Sequence, residues 1–313
     1  MADTPPRTGT PAPHHDTDLI VIGGGPAGCA AARTAAGVGM RSILVEPDAL
    51  CRSLHRIPAL NNVLGGHTAG PALAEAITTE LESTRLCRLE LGRHVVALRS
   101  AEDRVTATLD TGASLTAPYA VVATGVAPLR LRDAPWITAP SGLDLPPLWQ
   151  ADAGGTAGRT LLVLGGDRPV GTFLRAHPDT GVRLLVAYPE ADAYKVEEIR
   201  DDPRVTLLPV EHVTLRARGG GAPAADTVNR DGTRHTITAD ACHLSIGNAP
   251  TAPPGDLVRG PDGYCPPTDQ HPRVLVAGDL RSARFQRIMA AMGSGSEAAL
   301  HAYYTARGLH VRA

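Results

Sequence analysis

The sequence predicts an α/β protein built from two strand–glycine-turn–helix units, the second inserted into the first. Three observations predict it. An apolar run in residues 18–22 ends in Gly23, Gly25 and Gly28 and leads into an Ala-rich helical stretch. A second apolar run, within 159–164, ends in Gly165 and Gly166 and leads into another helical stretch. Near the end, residues 271–280 read as a strand running into Gly278-Asp279, followed by one long Ala-rich helix from Gln286 to Ala306.

Taken in order, residues 18–46 give strand, tight turn, helix and strand. Gly23 permits the turn, Gly25 lets backbone approach a pyrophosphate, and Gly28 lets the helix pack close to the strand. The helix N-terminus then faces the phosphates. Glu46 closes the second strand 18 residues past Gly28, where a carboxylate accepts ribose hydroxyls. This spacing predicts dinucleotide binding without separating one dinucleotide from another. Residues 71–85 read as a helix and 88–118 as a β-meander turning at Asp110–Ser114. Residues 119–128 form an apolar strand ending in Ala123-Thr124-Gly125, before a Pro-rich stretch from Ala134 to Pro147. The second unit repeats the plan, with a strand at 182–190 and a further meander containing a hairpin at Asp231-Gly232. The expected division is a disordered Pro/Thr-rich tail at 1–16, a dinucleotide-binding domain at 17–130 plus 247–313, and an inserted domain at 131–246. Both domains are expected to be Rossmann-like, of the three-layer ββα type.

The 313-residue length suits two domains of ordinary size, and 43% hydrophobic residues supply a core that 3% aromatics leave to aliphatic side chains. A formal net charge of −2 argues against a nucleic-acid binder, which needs a basic face. No apolar run is long enough to span a membrane, and the N-terminal stretch lacks a signal peptide's apolar segment, so a cytoplasmic location is expected. His14 and His15 read as a solvated pair rather than a metal site. Five widely spaced cysteines, Cys29, Cys51, Cys87, Cys242 and Cys265, fit reduced thiols and no metal site.

Residues 21–28 with Glu46, residues 121–125, and residues 274–279 with 293–299 together resemble the two-dinucleotide-fold flavoproteins. The length, without a further C-terminal domain, is similar to the thioredoxin-reductase branch. The resemblance spans residues 17 to 308 and implies FAD as cofactor and a homodimer. It implies that Gly23, Gly25, Pro26, Ala27 and Gly28 hold the FAD pyrophosphate and that Glu46 takes the adenosine ribose. It places Ala123, Thr124 and Gly125 near the cofactor and Gly278-Asp279 at its ribityl or phosphate region. Gln286, Arg287 and Ile288 bring the last helix's N-terminus to the flavin pyrimidine, where the helix dipole favours negative charge. Asn62 matches the asparagine beside the isoalloxazine.

Two departures from that family change the expected chemistry. The C-x-x-C pair that should precede the second glycine motif is missing, and no two cysteines are close in sequence. A dithiol relay needs thiols that reach each other, so disulfide reduction by that route is not expected. In the second motif, Asp167 stands where the middle glycine belongs and Pro169 removes a backbone donor. A carboxylate there obstructs and repels a pyrophosphate. Glu190 and Asp192 replace a basic cluster for a 2′-phosphate.

The leading expectation is therefore an FAD-dependent oxidoreductase that does not use NAD(P)H and oxidises a small biosynthetic substrate. Three alternatives stand beside it: a reductase fed by a protein electron donor such as ferredoxin, an NADH-dependent flavin reductase, and a non-catalytic FAD-binding scaffold or sensor. Catalytic candidates are Cys51, as a thiol facing the flavin, His55, as an acid or base, and Arg287, as an anion clamp. Arg56, His67 and Arg284 read as solvated or structural in the first instance. Tyr188, Tyr194 and Trp149 are candidates for an inter-domain cleft.

Overall fold

The computed structural model describes residues 15–218 and 221–309. The chain begins with β1 (Leu19–Ile22), α1 (Pro26–Gly37), β2 (Ser42–Glu46), α2 (Gly70–Glu82) and β3 (Cys87–Leu91). A meander follows, β4 (Val95–Ser100), β5 (Val105–Leu109) and β6 (Ser114–Ala117), then β7 (Tyr119–Val122) and β8 (Val126–Pro128). The middle of the chain forms β9 (Ile137–Thr138), α3 (Ala153–Thr156), β10 (Thr160–Leu164), α4 (Pro169–Ala176), β11 (Arg183–Tyr188) and β12 (Val205–Pro209). It continues through β13 (His212–Arg218), β14 (Gly221–Val228), β15 (Arg234–Ile237), β16 (Ala241–Leu244) and β17 (Asn248–Pro250). The chain closes with β18 (Val274–Val276) and α5 (Ile288–Ala306).

Two parallel sheets carry the molecule. The first has strand order β18-β7-β1-β2-β3 and the second β12-β11-β10-β16. All strands of the second lie between β7 and β18 in the chain, so the second unit is an insertion. β1 is apolar on both faces because both faces are covered. Leu19 and Val21 pack on the α1, α2 and α5 side, and Ile20 and Ile22 on the β4–β6 side. β10 repeats this, with Leu161 and Val163 facing α4 and Leu162 and Leu164 facing β13 and β14. Each unit is thus helix, parallel sheet and meander in three layers.

The meander expected over 88–118 divides, because β3 pairs parallel with β2 and joins the first sheet while β4–β6 form the separate antiparallel layer. Most of the Pro/Thr-rich N-terminal stretch lies outside the described residues. Asp16, assigned to that tail, instead hydrogen-bonds through backbone and carboxylate to Thr116.

Candidate functional site

The first glycine turn is shaped by close approach. A Cβ at Gly23, whose φ is +104°, would lie 2.5 Å from the Ala123 carbonyl oxygen. One at Gly28 would lie 1.8 Å from the Gly23 oxygen, and one at Gly295 of α5 1.9 Å from the Ala27 oxygen. These contacts press α1 onto β1 on one side and α5 on the other. Gly25, by contrast, has nothing within 4 Å of a Cβ, so backbone lies bare at the α1 N-terminus. That terminus has Pro26 at its first position and no side-chain cap. Its orphan N–H groups suit an anion.

The other expected segments converge on the same edge. Gly23 N–H donates to Val45 O at 2.9 Å, Ala123 N–H to Ile22 O at 2.7 Å and Ala277 N–H to Val122 O at 3.0 Å, setting the ends of β1, β2, β7 and β18 side by side. Gly278 N–H donates to Ser294 Oγ at 2.8 Å, and a Cβ on Gly278 would meet Ala27 Cβ at 2.8 Å. The Glu46 carboxylate accepts Gly24 N–H at 2.6 Å and Asp48 N–H at 3.0 Å, which aims it along the turn. The Thr124 hydroxyl is buried without a partner among the described residues, an acceptor or donor left for a bound group. These residues fit a dinucleotide such as FAD.

The Gln286 side-chain amide donates to Tyr264 Oη, Asp279 O and Ser282 O, so it staples the loop that leads into the α5 N-terminus. Asn62 is exposed on a bend. The three catalytic candidates share no hydrogen bond or ion pair among the described residues. His55 is exposed, while Arg287 approaches Glu198 of the second unit at 3.8 Å. Cys51 is wholly buried, with its Sγ 3.9 Å from Cys29 Sγ in the core under α1. A thiol facing the flavin needs access, so that expectation is corrected. No two cysteines are close in sequence, but folding brings Cys29 and Cys51 together across 22 residues of chain.

Asp279 shows burial acting on charge. Its carboxyl is pushed up to about 6 by burial, with Arg168 opposing and Asp167 adding to the rise. The folded protein therefore holds this proton more tightly than the unfolded chain, whose ordinary value is 3.8. The resulting stability is full below that value and is lost as pH climbs through about 6. Asp279→Asn keeps the shape without the charge. In FAD-free protein it is expected to raise the melting temperature at alkaline pH and leave it unchanged in acid. An equal shift at both ends of a pH series of thermal melts would count against this account.

The second glycine turn differs from its sequence reading. Asp167 is 7% exposed, but its carboxylate is turned against the β16–β17 link, accepting from Asn248 Nδ2 at 3.4 Å. Lys195, the only lysine in the chain, lies 3.8 Å from Asp167 and 2.9 Å from Asp192. Burial pulls the Lys195 pKa down, but the two carboxylates outweigh it and hold it above its ordinary value. The expected repulsion by a bare carboxylate is therefore corrected, since the charge is paired. The turn is still not a bare glycine cradle. Asp167 N–H is spent on Ser245 O at 3.0 Å, and a Cβ at Gly166 would lie 2.3 Å from Val196 Cγ1. Glu190 follows the end of β11 much as Glu46 ends β2. Of the aromatic cleft candidates, Trp149 lies under the Arg56 guanidinium at 5.1 Å, joining the two units, whereas Tyr188 is core and Tyr194 is 49% exposed.

The family model described as "Pyridine nucleotide-disulphide oxidoreductase" matches residues 17–165. Thioredoxin reductase of T. acidophilum aligns with a TM-score of 0.74 at 19% identity, covering 94% of this chain and 100% of that one. The Lactococcus lactis enzyme in its FR conformation gives 0.75 at 19% identity, with the same coverage of both chains. The chain has the two-domain fold of thioredoxin reductases. Within that fold the sequence holds no C-x-x-C pair. Among curated relatives, a component of the alkyl hydroperoxide reductase of Pseudomonas putida is 26% identical over 307 residues. "NADH dehydrogenase" of Ferdinandcohnia aciditolerans is 25% identical over 303 residues. Each match takes in 91% of this chain but only 57% of the relative, so the chain spans little more than half their length. Among the described residues no helix of this thioredoxin-reductase-like chain is long and apolar enough to cross a membrane, and no cluster suits a metal ion.

Proposed function

We propose that the chain is an NADH-dependent flavin reductase that passes electrons from its FAD to an acceptor other than a C-x-x-C disulfide. The observation that carries this reading is the reach of the curated relatives, one of them named for NADH, across 91% of the chain and so across both sheets. It favours the NADH alternative over the leading sequence expectation of substrate oxidation without a nicotinamide. Two features support the choice. Lys195 neutralises Asp167. Glu190 offers a carboxylate after β11 for a ribose diol and repels a 2′-phosphate, which selects NADH over NADPH.

In this reading Gly23–Gly28 and the α1 N-terminus hold the FAD pyrophosphate, and Glu46 orients the ribose. Thr124 and Asp279 supply hydrogen-bonding groups at the crossing of the strand ends. The α5 N-terminus, uncapped by any side chain, stabilises negative charge placed against it. Bound FAD would supply a two-electron acceptor for the hydride of NADH. Arg287 and Glu198, with Arg56 and Trp149, hold the second unit beside the first.

The test is anaerobic mixing of FAD-loaded protein with NADH or NADPH while flavin absorbance is followed. Bleaching by micromolar NADH, with NADPH at least about tenfold slower, is the expected outcome. A second reading, oxidation of a small substrate without nicotinamide, is favoured by Asp167 and Pro169 in the second turn. Flavin that neither nucleotide reduces, but a reducing substrate does, would establish that reading instead.

A further inference from the structure

Among the described residues, two that are not glycine have left-handed backbone: Cys51 at φ 53° and Phe285 at φ 61°. For a residue with a Cβ this conformation is disfavoured, and the surroundings must hold it there. At Cys51 the holding contacts are plain. Its N–H donates to Gly24 O at 2.8 Å, and its own carbonyl accepts Leu54 N–H at 2.8 Å. Cys29 Sγ also donates to Gly24 O, at 3.2 Å. The thiol of Cys29 has one proton. With that proton on Gly24 O, the 3.9 Å contact between the sulfurs is donated by Cys51. The N–H of Gly24, in the preceding peptide unit, donates to Glu46. One residue of the first glycine turn, Gly24, therefore joins two stacked thiols, through its carbonyl, to the carboxylate that receives the ribose, through its N–H.

We propose that Cys29 and Cys51 form a peroxide-sensitive dithiol that sets the FAD affinity of the first glycine turn. The proposal rests on the FAD reading above. Cys51 is the attacking sulfur, because Cys29 is held as a thiol by its bond to Gly24 O. In the first step Cys51 gives up its proton and attacks one oxygen of hydrogen peroxide. The O–O bond breaks, leaving a sulfenic acid on Cys51 and releasing water. Cys29 sulfur then attacks Cys51 sulfur, its proton leaves with the hydroxyl as a second water, and the S–S bond forms. Two thiols and one peroxide give one disulfide and two waters, with both electrons passing from sulfur to oxygen.

The geometry says which part moves. Bonded sulfurs sit about 2 Å apart, far closer than the thiols. α1 cannot give way, because Gly28 and Gly295 already hold it against Gly23 and α5 with no room for a Cβ. The link from β2 to Cys51 must close the gap. That removes the Cys29 thiol donor from Gly24 O and shifts the Cys51 N–H that shares it, turning the Gly24–Gly25 peptide and disturbing, through the Gly24 Cα, the neighbouring N–H that Glu46 grips. Both sulfurs are buried, Cys29 at 2% and Cys51 at 0% exposure. The oxidant therefore enters only as the glycine turn opens, and bound FAD, which holds that turn closed in the reading above, slows the reaction.

The experiment uses full-length protein stripped of FAD, reduced, and then exposed to hydrogen peroxide, with and without FAD added back. Non-reducing digestion with mass spectrometry reads the thiol linkage, and fluorescence titration reads FAD affinity before oxidation, after it, and after a reductant. We expect a Cys29–Cys51 linkage that forms more slowly with FAD bound. We also expect about tenfold weaker FAD binding that the reductant reverses, and Cys51→Ser protein indifferent to peroxide. Absence of that linkage, linkage through Cys87 instead, or unchanged affinity in the linked protein would each overturn the proposal. Reduced protein that takes up no FAD at all would sink the cofactor assignment and this proposal together. Uptake that peroxide leaves untouched sinks the switch alone.

Discussion

Gly28→Ala is expected to abolish FAD retention and to cost the fold about 3 kcal/mol. The added methyl would sit 1.8 Å from the Gly23 carbonyl oxygen, a backbone atom that no rotamer change can remove. α1 would have to lift from β1, but Gly295 packs α5 against Ala27 O and prevents a rigid retreat. The turn that offers bare backbone at Gly25 would open instead. Urea denaturation and FAD titration read the two losses separately. Gly37→Ala is the control. It sits at the far end of the same helix, where a Cβ meets only Arg33 Nη1 at 3.8 Å. That variant is expected to be neutral or stabilised by up to about 1 kcal/mol. Equal behaviour of the two variants would remove close packing as the reason for Gly28.

Lys195→Met is expected to be the most damaging single change in the second unit, at about 3 kcal/mol. Lys195 is 18% exposed in its side chain and stands between Asp167 at 10% and Asp192 at 17%. Removing the cation leaves two mostly buried carboxylates with no positive charge between them. In the unaltered protein the Lys195 pKa is raised, so its contribution is complete at every pH below the ordinary 10.5 and is lost only as pH rises through the folded value. The variant's deficit is largest at neutral pH and shrinks as pH rises through the folded value of Lys195, where the unaltered protein loses the same contribution. Adding Asp167→Asn to Lys195→Met should recover part of the loss, because the two residues are coupled. Denaturation series at several pH values check both points. A deficit independent of pH would mean that Lys195 contributes packing rather than charge.

How much of this was legible in the chain depended on how local the cause was. The spacing of Gly23, Gly25 and Gly28 after an apolar strand, and of Glu46 after the helix, follows from turn geometry and helix pitch. Both lie within one unit of about thirty residues. The hairpin at Asp231-Gly232 was likewise readable, since Asp231 caps its own turn by accepting from Thr233 N–H at 2.9 Å. The placing of β3 in the meander failed because a strand's partner is not written in its own residues.

By itself the sequence determined two three-layer dinucleotide units, the insertion of one in the other, the missing C-x-x-C and the acid after β11. Each follows from backbone preference, apolar periodicity or residue identity within a short window. Only the tertiary structure decided which side chains share a point in space. It put Lys195 between Asp167 and Asp192, and it left the Thr124 hydroxyl buried without a partner among the described residues. It also set Cys29 against Cys51 under Gly24. Those meetings are products of long-range packing. Where α1 presses on β1 and α5 closely enough to exclude a Cβ, a thiol on that helix and one on the loop after β2 are driven into the same small volume.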